Sequence, residues 1–414
     1  MNRLRWAAFV LAAVLIPLPD WTAAQATPVA SPLQFFESVA QPLSVSPDGT
    51  KIAVLDPHTS LCVFALPTQQ RVACASLEEQ PIYPLAADIV WSPDSSRLAF
   101  TEMGYITGDD SDLWVMDAQT GQLTNLTDDG YIGSLLSLGD DAGASFSVDS
   151  SPAWTPDGQF ISFARSDIVD GERGGTALFA IPASGGSPEL LATVSETEMG
   201  AVFYRSAWSA DDAALYFTYN TPNPDDLNTG VWKYDPQTGQ LTQLIATDER
   251  LGAPILLQAS PAGDSLLIWY PAVLQGSDMA DPLIRLINAA TGEILPLELP
   301  PPDQATLPAR IVATFSPDGA GLLFLLVPVG NVGQLWTADL STGTYARVVE
   351  GIDDTLLDPQ FPPSWAANDL LAVPTASGAV ALTTISGFGN DASTPVSLRE
   401  QITTQIPGWD RAAG

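Results

Sequence analysis

Short apolar runs separated by clusters of turn-forming residues recur along almost the whole chain. The runs KIAVLD, RLAFTE, QFISFAR, ALYFTYN, SLLIWY, LLFLLV and LLAV are rich in β-branched and aromatic residues. They are too short for helices and are bounded by Gly, Pro, Asp and Ser, so they predict strands buried on both faces. A common tetrapeptide precedes each run. It reads SPDG from Ser46, SPDS from Ser92, TPDG from Thr155, SADD from Ser209, SPAG from Ser260, SPDG from Ser316 and a decayed AAND from Ala366. Pro presets φ, Asp accepts from amides ahead of it, and Gly takes a positive φ, so each copy predicts a tight turn.

The copies repeat about every 53 residues, a period that belongs to an array, a solenoid or a propeller. Each repeat divides into four strands, A to D. Strand A ends at an aromatic just before the motif, at Trp91, Trp154, Trp208, Phe315 and Trp365. Strand B is the apolar run. Strand C follows as LCVFAL, DLWVMD, ALFAIP, GVWKYD, LIRLIN, QLWTAD and AVALTT. A second turn starts at Asp117, Asp235, Asn288 and Asp339 and carries Thr-Gly, and the short strand D comes after it. Four antiparallel strands repeated seven times predict an all-β fold, a seven-bladed β-propeller of four-stranded antiparallel blades. The tryptophans at the ends of the A strands are expected to fill the gaps between blades.

The combined pattern, fullest in VWSPDSSRLAFTE and DLWVMDAQTGQLTNLT, resembles the WD40-like repeat of TolB-type propellers. That resemblance implies the fold and says little about function. It also departs from the family. TolB carries an α/β domain before a six-bladed propeller, and here only Thr27 to Gln41 precede the first repeat. The same repeat builds the propeller of prolyl-oligopeptidase-type peptidases, but no G-x-S-x-G and no hydrolase-sized segment follow it here.

Residues 1–26 are expected to be a signal peptide, with Arg3 and Arg5 ahead of the apolar Trp6 to Leu18 and an A-x-A site at Ala24 to Ala26. Residues 27–41 form an N-terminal segment whose LQFFE could add an edge strand to the first or last blade. The propeller is expected over 42–402, with its own last strand at Val396 to Gln401, and a tail over 403–414. Cys62 and Cys74 flank a hairpin signal, and in an exported chain they predict a disulfide. The protein is therefore expected outside the cytoplasm, periplasmic or extracellular.

Charge narrows the partners. The chain has 414 residues, 48 acidic against 15 basic, and a formal charge of −33. Nucleic acid and anionic membrane surfaces need basic patches, which the sequence does not supply. So much like charge also favours a monomer. A protein or peptide partner, cationic in character, fits this composition.

On a propeller the A–B and C–D turns share one face, and the B–C and D–A loops share the other. The first set is uniformly tight, whereas the second is long and acidic in repeats two to four. Candidate binding residues there are Glu102, Asp109, Asp110, Asp112, Asp128, Asp129, Asp140, Asp141, Asp170, Glu172, Asp225 and Asp226. Asp149 and Asp167, with Arg165 and Arg173, fall in the same loops, which are expected to be a solvated acidic rim. Clustered carboxylates could hold Ca²⁺, but no run has the spaced EF-hand pattern, so no metal or cofactor is expected. The single histidine, His58, cannot build a His pair or a triad alone. The sequence-based expectation is a non-enzymatic binding scaffold. The alternative is a carboxylate- or calcium-dependent hydrolase at the acidic rim or the central channel.

Overall fold

The computed structural model describes residues 34–37 and, with breaks, 43–384; the longer breaks are 78–88, 103–109, 132–144, 196–201, 221–228, 247–253, 271–283, 298–307 and 353–363. The expected signal segment, the strand at Val396 to Gln401, the tail and His58 lie outside the described residues. All described strands fall within the unit Ser31–Gly414.

The repeats fold as a β-propeller of seven four-stranded antiparallel sheets. Blade one spans 43–76, blade two 90–125, blade three 146–195, blade four 202–246, blade five 256–295 and blade six 308–352. The last sheet takes three strands from the C-terminal end, Ser364–Trp365, Leu370–Pro374 and Ala379–Thr384, and its fourth from Gln34–Glu37. The N-terminal edge strand thus joins the last blade, pairing Gln34 with Leu382 and Glu37 with Ala379. Strand pairing from the other end of the chain fastens a circular fold that has no covalent closure and covers an open edge. The amide of Ala367 in blade seven donates to the carbonyl of Pro47 in blade one at 3.1 Å, a second tie across the same seam.

In blades one to six the motif turn is closed by side chains as well as backbone. Ser46 Oγ donates to Asp48 Oδ1 at 2.6 Å and accepts from the Lys51 amide at 2.9 Å. The same hydroxyl–carboxylate pair joins Ser92 to Asp94, Thr155 to Asp157, Ser209 to Asp211 and Ser316 to Asp318, all at 2.6–2.7 Å. The second turn works alike: Asp117 Oδ1 accepts from the amides of Gln119 and Thr120.

Between blades the core is apolar. Ala53, Leu55, Leu61 and Val63 of blade one pack on Trp91, Leu98 and Phe100 of blade two. Trp91 and Trp154 are buried as expected, and each indole N–H reaches back to the preceding blade, Trp91 to Ser44 O at 3.0 Å and Trp154 to Val90 O at 3.1 Å. Arg97 of blade two lies over the Trp154 ring at 4.8 Å and donates to the carbonyls of Gly158 and Ala183. Among the described residues no helix is long and apolar enough to cross a membrane.

The expected Cys62–Cys74 bridge forms between directly paired residues of strands C and D in blade one. It closes a short loop, so its loss removes about 2–3 kcal/mol by the chain-entropy account. A Cys62→Ser, Cys74→Ser variant should unfold at lower urea than the parent protein, and an unchanged midpoint would remove this role. Two turn glycines provide a sharper contrast. Gly121 and Gly239 both have positive φ, 76° and 70°. A Cβ at Gly121 would collide with the Cys74 carbonyl of the neighbouring blade, whereas one at Gly239 meets nothing within 4 Å. Gly239→Ala should cost only the backbone penalty of about 1 kcal/mol. Gly121→Ala should cost clearly more, as read from denaturant midpoints. Equal losses would show that the blades do not depend on this close approach.

Candidate functional site

The acidic residues of repeats two and three are drawn together by strand geometry rather than left as loops. Strand B of blade two, Arg97–Thr101, delivers Glu102 at its end, and strand C, Leu113–Asp117, is preceded by Asp110, Ser111 and Asp112. Strand D, Leu123–Asn125, leads to Thr127, Asp128 and Asp129. Strand A of blade three, Phe146–Trp154, carries Asp149, and strand B, Phe160–Val169, carries Arg165 and Asp167.

One short crossing locks the two blades at this end. Ser111 forms a parallel bridge with Val148, and its carbonyl accepts from the Asp149 amide at 2.8 Å. Ser111 Oγ donates to Asp149 O at 2.8 Å, and 3.2 Å separates it from Glu102 O. The carboxylates therefore sit on a fixed frame.

Each acid has its own surroundings. Asp149 is fully buried and makes a two-pronged ion pair with Arg165, 2.7 Å to Nε and 2.8 Å to Nη2. Arg165 in turn lies over the rings of Phe163 and Phe179. Asp112 Oδ2 accepts from Asn125 Nδ2 at 2.7 Å. Glu102 Oε1 accepts from the Trp114 indole at 2.8 Å. Asp110 is 9% exposed, and its Oδ1 has no hydrogen-bond partner among the described residues. Asp129 is exposed and receives the amides of Tyr131 and Ser147, which fasten the rim of the site.

Burial in the company of like charges holds protons on these groups. Burial pushes Glu102 up to about 8, with Asp112 and Asp149 adding to it and the Trp114 hydrogen bond opposing. Burial likewise pushes Asp110 to about 8, reinforced by Asp112, Asp129, Glu102 and Asp149. Asp112 rises only to about 6, because the Asn125 amide stabilises its charge against burial and Asp149. Burial raises Asp149 as well, against the pull of Arg165. The turn aspartates behave oppositely: the Ser92 hydroxyl holds Asp94 below its ordinary value.

Measured against the expectation of a solvated rim, Asp128, Asp129 and Asp170 are exposed, but Asp110 and Asp112 are buried and Glu102 is half-buried. Asp149 is no loop residue either, since it lies inside a nine-residue strand. The supposed third B–C loop is largely a strand extension: Ile168 pairs with Arg173 and Val169 with Glu172, leaving Asp170 at the tip with a φ of 53°. Asp109, Asp140, Asp141, Asp225 and Asp226 lie outside the described residues, as does the side chain of Glu172. Among the described residues no three His, Cys, Asp or Glu side chains are placed to hold a metal ion. The Asp149–Arg165 pair was missed, although an arginine in an apolar strand of so acidic a chain was the signal.

Comparison with known proteins agrees on the fold. Residues 58–170 match the family model described as dipeptidyl peptidase IV (DPP IV) N-terminal region. No curated protein matches. An oligogalacturonate lyase solved in complex with manganese superposes with a TM-score of 0.56 at 14% identity, over 85% of this chain and 90% of that one. A structure from a study of two prolyl endopeptidases gives 0.50 at 13% identity, over 84% of this chain and 46% of that one. TolB from Acinetobacter baumannii gives 0.40 at 16% identity, over 82% and 78%. The expected TolB-type likeness thus broadens to propellers in general. The expectation of a non-enzymatic protein is also corrected: it rested on missing hydrolase motifs, yet structures of this fold include a lyase and a prolyl endopeptidase, and the matching family model is named for a peptidase.

Proposed function

We propose that this propeller binds its ligand at the carboxylate cluster of blades two and three and acts on it by proton transfer. Asp110 carries the reading. A buried acceptor left unmet costs about 1–3 kcal/mol, and a ligand donor that completes it recovers that cost on binding. Around it Glu102 and Asp110 hold protons near neutrality, while Asp112 is mostly ionised there. Acids whose environments push them apart in this way can divide the donor and acceptor roles of general acid–base catalysis. The fitting ligand is rich in hydroxyl donors and neutral or cationic, such as a neutral oligosaccharide. A polyanion of the kind named for the lyase would be repelled by the ionised carboxylates here, so that likeness supports the fold alone. A second reading, a cationic peptide bound on the rim, is favoured by the exposure of Asp128, Asp129 and Asp170.

Neutral oligosaccharides incubated with the protein should be cleaved, and Asp110→Asn should slow cleavage by about a hundredfold or more. Glu102→Gln should do the same without altering the fold by circular dichroism. Binding or cleavage indifferent to both substitutions would remove the site, and rim binding alone would appear as salt-sensitive affinity for polylysine.

Stability should follow the same protons. Glu102 and Asp110 are ionised in the unfolded chain above about pH 5 but keep their protons in the fold to about pH 8. The folded state therefore binds more protons in that window. The stabilisation is complete below the unfolded values and is lost as pH rises through about 8. Thermal midpoints should fall from pH 5 to pH 8.5, and Glu102→Gln with Asp110→Asn should flatten the fall. An identical slope in the double variant would contradict these protonation states.

A further inference from the structure

The motif face, with its tight turns, holds a cavity that the repeat pattern explains. Five residues after the motif Ser or Thr, blades one and two carry a cation that reaches the next blade. Lys51 Nζ donates to Ser95 O at 3.1 Å. Arg97 donates to the equivalent carbonyl, Gly158 O, and lies over Trp154, the last aromatic of the receiving strand A. Blade three places Phe160 at this position, ahead of Trp208. Blade six places Gly321 there, ahead of Trp365. So Trp365 faces a repeat position that has no side chain to cover it.

An open cleft of about 530 Å³ lies at this junction, lined by Gly321, Asp318, Asp339, Thr337, Tyr345 and Trp365 among others. The indole of Trp365 is also out of pattern. The indole N–H groups of Trp91, Trp154 and Trp208 all donate within the protein. Trp365 Nε1, like Trp269 Nε1, is buried and has no partner among the described residues; a guanidinium has no acceptor to offer it, so it is the ring face of Trp365 that bears on the ligand. Aromatic faces and two carboxylates with no cation between them among the described residues are the surroundings a guanidinium takes.

We infer that the cleft between blades six and seven binds an external guanidinium, the arginine side chain of a peptide, in the place that Arg97 fills from within at the junction of blades two and three. The ring of Trp365 supplies the stacking face, and Asp318 and Asp339 supply the countercharge. The site lies on the face opposite the acid cluster and does not depend on the function proposed above. A Cβ at Gly321 would lie 2.7 Å from the carbonyl oxygen of Ala338, so an internal side chain cannot enter without backbone movement.

The test uses N-acetyl-arginine N-methylamide, with its neutral citrulline counterpart as the control. The readout is the indole ¹H–¹⁵N resonance of Trp365, identified by its loss in Trp365→Phe. The arginine compound should move this resonance saturably, and the citrulline compound should not. Asp318→Ala with Asp339→Asn should weaken the arginine compound about tenfold. Both changes have precedents in the chain that keep the turns: Ala262 stands at the first position in repeat five, and Asn288 caps the second turn there through its own side chain. No shift at Trp365, an equal shift with citrulline, or an unchanged affinity in the double variant would each overturn the inference.

Discussion

Most blades share one small constraint, a hydroxyl and a carboxylate two residues apart that close the turn between strands A and B, and blade five keeps the hydroxyl of Ser260 without the carboxylate. In Ser46–Asp48 and its copies the hydroxyl both donates to the carboxylate and accepts from the first amide of strand B. The bond fixes where strand B begins relative to strand A. That register decides which side chains face the neighbouring blade, since a slip of one residue would turn every apolar residue of strand B outward. Only with the register held can Trp91 or Trp154 meet the carbonyl of the preceding blade. The hydroxyl bond also holds Asp94 and Asp318 below their ordinary values, and both carboxylates lie exposed on the turn face, where their charge does not burden the core.

The opposite face is free of that constraint, and the strands use it differently. Blade three extends its strands well past the lengths seen in blade two, and the extension carries a buried Asp149. A buried carboxylate needs a partner and hydrogen bonds, and Arg165 with the aromatic rings beneath it supplies both. Ser111 then ties blade two to this fixed point, which draws Asp110 and Asp112 inward with it. The raised acids are thus a consequence of one blade being longer than its neighbour.

This explains what could be read from the chain and what could not. The strands, the turns, the tryptophan packing and the disulfide were legible because each is local, a matter of period two, of Pro-Asp-Gly chemistry or of two cysteines facing across a hairpin. The strand FSVDSSPAW was not, because its buried positions include Asp149, Ser150 and Ser151, and a polar interior looks like a loop to hydrophobic patterning. Ser151 has a positive φ, at an irregularity between Ser150 and Ala153 that also interrupts the alternation. The destination of the N-terminal strand was left open for a related reason: its partner, Ala379–Thr384, lies at the other end of the sequence, and pairing over that distance leaves no local mark.

Repeats supply a further kind of information, carried by departures rather than by agreement. When a position is filled by Lys51 in one blade and by Arg97 in the next, the surroundings it enters are defined by the protein's own contacts. Blade six has no side chain at this position, Gly321, and a cleft lined by Asp318, Asp339 and Trp365 lies there. Such a lining at the position of a missing cation is a physical reason to look for that group in a partner, and it directs attention to the face that the turn motif had made look plain.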